Sequence, residues 1–194
     1  EVQRAVDAGK QYSISVKAGK KGTPDWIFTS GGVERLRFQD WGSSATLDCK
    51  KKPCCGYHLD LGSPSDDEYR KQYFGMLDAL GSHLQEDASW FRALAMVKPS
   101  GMNFLTHENR LPKRCEPGCL CNTEVWAKAD NPYTPEALTS FYEAQFNVIE
   151  KAFPGKTISY MLIQAGFPLV RDENNYLGGG THNLPKGTSQ TEDI

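Results

Sequence analysis

The sequence predicts an α/β fold built from parallel strand–helix units, and three observations carry that prediction. Two segments with helix-capping signals and helical apolar stripes, 65–84 and 134–152, are each followed by an apolar run of strand length, 90–97 and 157–163. Helix, strand, loop, helix, strand is the order in which parallel strands are joined by right-handed crossovers, with the loops at the strand C-termini facing one side. The third observation is where polar side chains gather: Asn103, Thr106, His107, Glu108, Asn109 and Arg110 follow closely on the run that ends at Val97. Such a density of polar groups is costly to bury without purpose, and the carboxyl end of a parallel sheet is where ligand-binding and catalytic groups are displayed. The alternative is a solvated loop with a few capping side chains.

Taken in order, residues 2–10 form an amphipathic start, and Tyr12-Ser13-Ile14-Ser15-Val16-Lys17-Ala18-Gly19 alternates in the manner of a strand. Thr23-Pro24 places a hydroxyl before a proline, the arrangement of an N-cap and first helical residue, so a short helix or turn is expected there. Residues 33–38 alternate again before a loop rich in cysteine and lysine. Ser65-Asp66-Asp67-Glu68 fits a capping box and sets acidic groups on the positive end of the helix dipole. The stripe Tyr69, Tyr73, Met76, Leu77, Leu80 and Leu84 then marks the core face of that helix. The run 90–97, closed off by Pro99 and Gly101, reads as a buried strand. Thr134-Pro135-Glu136 repeats the helix start, with a stripe of Leu138, Phe141, Tyr142, Gln145, Ile149 and Ala152. Pro154-Gly155 ends it before the next strand, 157–163.

At 194 residues, 39% hydrophobic and net charge −2, the chain can bury a core and carries no charge bias toward nucleic acid or an anionic membrane. It lacks the run of about 18 apolar residues that spans a bilayer, and its first residues are too polar for a signal peptide, which leaves open one already removed. The absence of a Gly-x-Ser-x-Gly elbow and of a glycine-rich phosphate loop after a strand argues against an α/β hydrolase and against nucleotide binding, and no cofactor is expected. The cysteines fall in two groups, Cys49, Cys54 and Cys55, then Cys115, Cys119 and Cys121. They are disulfide candidates, which implies a secreted, extracellular protein. Reduced thiols, or a metal site with His58 or His107, are the other readings, although the gap between Cys119 and Cys121 fits zinc spacing poorly.

The loops after Val16, Val97 and Ile163 should share one rim, bringing Trp26, Asn103, His107, Glu108, Asn109, Arg110 and Gln164 together. An aromatic ring beside amide and carboxylate groups is a way to hold a sugar, by stacking its apolar face and hydrogen-bonding its hydroxyls. For any one of Trp26, Trp41 and Trp126, core packing is a more common role than ligand stacking. Gly-Thr-Pro-x-Trp at 22–26, Asp60-Leu61-Gly62-Ser63-Pro64, Thr106-His107-Glu108, Tyr133-Thr134-Pro135 and Ala-Phe-Pro-Gly-Lys at 152–156 together resemble a glycoside hydrolase of the TIM (β/α)8-barrel type, whose acid/base glutamate follows strand four. The resemblance implies a single, partial barrel domain over 1–194 acting on a carbohydrate. In it Glu108 is the catalytic acid/base; the shared rim makes Trp26, Asn103, His107, Asn109, Arg110 and Gln164 the candidate substrate contacts. His107 stands where that group usually has Asn. A second carboxylate is needed to complete such a site; Asp172, Glu173 and Glu192 are available, although solvation at the surface is the commoner role of acidic residues. A full barrel takes about 250 residues, so the missing half would come from the rest of a longer chain. A non-catalytic carbohydrate-binding or scaffold role on a degenerate barrel, and a Cys/His metal-binding role, are the alternatives.

Overall fold

A computed structural model describes residues 1–19, 22–39, 58–103, 109–113, 120–160 and 167–168. The described elements are α1 (Val2–Asp7), β1 (Tyr12–Lys17), α2 (Trp26–Thr29), β2 (Leu36–Gln39), β3 (His58–Leu61), α3 (Asp67–Gln85), α4 (Ala88–Ala93), β4 (Leu94–Ser100), α5 (Asn122–Ala127), α6 (Pro135–Ala152) and β5 (Thr157–Ile158). The strands form two separate sheets, a parallel one in the order β1-β4-β5 and an antiparallel pair β2-β3.

This arrangement overturns the expected (β/α)8-type barrel, whole or partial. A barrel needs consecutive parallel strands side by side, whereas here β4 pairs directly with β1, and β2 and β3 leave the sheet to pair with each other. The protein is a small α/β fold. β1 also has the pattern of a sheet covered on one face: Tyr12, Ile14 and Val16 are half-buried while Ser13 and Ser15 are exposed.

Helices α3 and α6 lie against each other, and their facing stripes fill the core with Tyr69, Tyr73, Leu77 and Leu84 on one side and Leu138, Phe141, Tyr142 and Ile149 on the other. Each fully buried aliphatic or aromatic side chain there contributes roughly 1.5–3 kcal/mol. The two helices can approach because Gly81 has no side chain; a Cβ at that position would come within 2.4 Å of the Ala152 carbonyl oxygen. The cap of α3 is Asp66, one residue later than the capping box implies. Its carboxylate accepts from the Glu68 and Tyr69 amides and, through its other oxygen, from Glu34 N–H. Ser65 instead donates to the Pro132 carbonyl at 2.5 Å. Thr134 caps α6 as expected, accepting from Ala137 N–H at 3.0 Å.

The run read as a strand from Trp90 is helical up to Ala93, because Asp87 accepts from the Ser89 and Trp90 amides and starts α4. The strand begins at Leu94 and continues through Pro99. Proline is tolerated there because β5 pairs only with Met96 and Val97 and does not reach that position.

Helix α5 clasps the small sheet. The Asn122 side chain acts as one more strand residue, accepting from Gln39 N–H at 2.9 Å and donating to the Gln39 carbonyl at 2.8 Å, all of it buried. Trp126, one turn on, packs on Phe38 with ring centroids 4.4 Å apart and donates to the Pro112 carbonyl. Trp126 is therefore core. Replacing Asn122 with Ala leaves two buried backbone groups of Gln39 unpaired and should lower stability by about 2–4 kcal/mol, read as a fall in the urea midpoint at unchanged slope.

Candidate functional site

The carboxyl end of the parallel sheet is built by β1 running into Ala18 and by β4 running into Gly101, Met102 and Asn103. The turn after β1 closes through Gly22 and Thr23 amides donating to the Gly19 carbonyl. Thr23 does not cap a helix, as its place before Pro24 suggests; its hydroxyl accepts from Gly19 N–H at 3.0 Å and locks the turn. The turn delivers the short helix α2, on which Trp26 stands 51% exposed.

Asp25 is taken up by Arg35, which reaches it at 2.5 Å, holds Asp60 of β3 at 2.9 Å and lies over the Phe28 ring at 4.9 Å. That guanidinium pins α2 to the β2–β3 unit and so sets where Trp26 stands. The two carboxylates raise the Arg35 pKa further, Asp25 more than Asp60.

Trp26 lines a cavity of about 510 Å³ between the end of β1 and the exposed flank of α3. Val16, Pro24, Ile27, Tyr69, Tyr73 and Met76 supply its apolar wall, with Lys17, Thr23, Lys71 and Gln72 as the polar groups. Lys71 is paired with Glu68 at 3.0 Å. Met76, which belongs to the apolar stripe of α3, is 41% exposed because nothing among the described residues covers it.

The cavity wall and the loop after β4 are one connected structure. Tyr69 lines the cavity and donates its hydroxyl to the Gly101 carbonyl at 2.6 Å. Tyr73, also on the wall, accepts from Gln145 Nε2 at 3.1 Å, and Gln145 Oε1 in turn accepts from the Tyr160 hydroxyl. Gly101 must be glycine, since a Cβ would lie 2.6 Å from the Tyr73 ring. Burial pushes the phenols of Tyr69, Tyr73, Tyr133, Tyr142 and Tyr160 up from their ordinary range; at Tyr73 hydrogen bonds from the Ser100 backbone and Gln145 pull the other way. Burial likewise lowers the Lys113 ammonium.

Of the residues expected on the rim, Trp26 is on the cavity, and Asn103 and Asn109 are buried near the loop after β4. Neither amide atom of Asn109 has a hydrogen-bond partner among the described residues. The chain returns past β4 here, Arg110 N–H donating to the Met102 carbonyl at 3.0 Å, and the Arg110 side chain is half-buried. Glu108, His107, Gln164 and Trp41 lie outside the described residues, as do Asp172, Glu173 and Glu192. So do Cys49, Cys54, Cys55, Cys115 and Cys119; Cys121, at the start of α5, is disulfide-bonded. His58 is exposed on β3, and no group of three or more metal-ligating side chains occurs among the described residues. Tyr69, Gln72, Gly75 and Met76 were not expected at a site; the uncovered Met76 in an otherwise buried stripe is the signal that marks them.

No protein-family model, curated protein or solved structure matches this chain. No described helix is long and apolar enough to cross a membrane.

The buried phenols give the fold a defined alkaline limit. Each is held protonated in the folded chain above the ordinary phenol value near 10, whereas in the unfolded chain it ionises there. The stability these phenols contribute is therefore fully present below about pH 10 and falls as pH rises beyond it. Phenolate absorbance of these tyrosines should appear together with loss of near-ultraviolet circular dichroism rather than before it.

Proposed function

We propose that the chain acts on carbohydrate, hydrolysing a glycosidic bond with Glu108 as the general acid/base and the cavity beside Trp26 as the place where the sugar is held. The observation that carries this reading is the exposed indole on a cavity that is otherwise apolar but edged with an amide, a hydroxyl and two amines. A pyranose has apolar C–H faces and a hydroxylated rim, and this lining matches both. Glu108 stands one residue before Asn109 in the sequence, eight residues after the end of β4, and β4 is tied to the cavity wall through Tyr69. In this reading Glu108 protonates the departing oxygen, and a second carboxylate activates water or attacks the sugar.

One observation favours the non-catalytic alternative. No carboxylate is among the described residues lining the cavity, and a binding protein needs none. The disulfide at Cys121 supports secretion into an oxidising compartment for either reading.

Turnover of aryl glycosides by Glu108→Gln separates the two. Hydrolysis requires a loss of about 100-fold or more with binding retained; activity unchanged by the substitution sinks the role of Glu108, and saturable sugar binding with no turnover by the wild type establishes the binding protein. Trp26→Ala should weaken sugar binding about tenfold while leaving the fold intact, because the indole is already in solvent.

A further inference from the structure

Helix α3 contains two glycines in its interior that the fold treats differently. At Gly81 a side chain would strike the Ala152 backbone. At Gly75 a Cβ would meet nothing within 4 Å, and the backbone there is ordinary helix. Packing therefore explains Gly81 and does not explain Gly75, although glycine in a helix interior is less favourable than alanine. Gly75 is exposed, and it lies on the cavity beside Gln72 and Met76, its neighbours on the same face of α3.

We infer that Gly75 keeps a slot on α3 open for one ring of the bound sugar, which lies against the bare helix backbone with the Trp26 indole on its other face. This rests on the carbohydrate reading and narrows it. A slot bounded by a flat indole and a helix surface without a side chain admits a ring whose hydroxyls all lie near its plane. A ring with an axial hydroxyl presents a bulkier face to both surfaces and should bind less well. The class of ligand is accordingly a chain of pyranoses with equatorial hydroxyls, such as a β-linked glucan or xylan. Gln72, half-buried at one side of Gly75, supplies an amide that can bond a hydroxyl at the ring edge, and Met76 on the same face covers the ring's apolar side.

The inference predicts opposite signs for one substitution. Gly75→Ala should raise the urea midpoint, because it adds helix propensity where there is room. It should also weaken binding of cellohexaose and xylohexaose by about tenfold or more, because the methyl group occupies the slot. Both are measured on the whole chain, by denaturation and by titration calorimetry, with mannohexaose as the axial-hydroxyl control. Stabilisation with that loss of affinity, and wild-type preference for the equatorial sugars over mannohexaose, supports the slot. Affinity unchanged by Gly75→Ala, or equal binding of mannohexaose, overturns the slot and leaves the carbohydrate reading standing. A lower midpoint shows that the fold itself requires glycine and also overturns it. If the wild type binds none of the hexasaccharides, the carbohydrate reading and the slot fall together.

Discussion

Strand β4 is paired on both sides, with β1 along its length and with β5 at Met96 and Val97, and its carboxyl end is gripped from three directions. The Ser100 hydroxyl donates to the Val16 carbonyl of β1 at 2.7 Å, Tyr69 of α3 donates to the Gly101 carbonyl, and the Tyr73 ring packs against Gly101 so closely that no side chain fits. These contacts fix where the strand stops and the loop begins. The same tyrosines form the wall of the cavity beside Trp26, so a shift in β4 would move the wall with it. Burying a phenol costs less where its hydroxyl finds a partner. At Tyr69 and Tyr73 those partners are the strand end and a helix amide.

A second set of contacts steadies the chain after the rim. Thr123 donates to the Lys113 carbonyl and Trp126 to the Pro112 carbonyl, while Asn122 holds β2. One short helix thus joins the segment just after Glu108 and Asn109 to the antiparallel pair. Asn109, buried just before this segment, has no amide partner among the described residues. The Arg35 bridge does comparable work for α2, linking Trp26 to the same pair of strands.

The long helices were legible in the sequence because caps and stripes are local signals, and α6 follows its stripe closely. β1 was legible by its alternation. In the structure the same alternation follows a sheet covered on one face, with Ser13 and Ser15 exposed, a distinction that alternation alone does not make against a barrel strand. β3 has only four residues beside the cysteine loop, and α5 begins at Cys121 with no side-chain cap, so neither announces itself. The boundary at Leu94 was missed because Trp90 and Phe91 are apolar in helix and strand alike, and only the Asp87 cap decides between them. At the site, Trp26 stood out by residue type. Met76 was read as core because a stripe reports periodicity and not what covers it, and the cavity lies where the stripe of α3 is left bare.

The central claim, that a sugar is held at the carboxyl end of the parallel sheet between α2 and α3, is tested most directly by amide chemical-shift mapping during titration with cellohexaose. The account predicts shifts concentrated at Thr23, Trp26, Gln72 and Gly75, extending through Tyr69 to Gly101, with the groove between α1 and α4 around Lys10 and Arg92 unmoved. Shifts confined elsewhere, for instance to that groove between α1 and α4, or no shifts at saturating sugar, would contradict it.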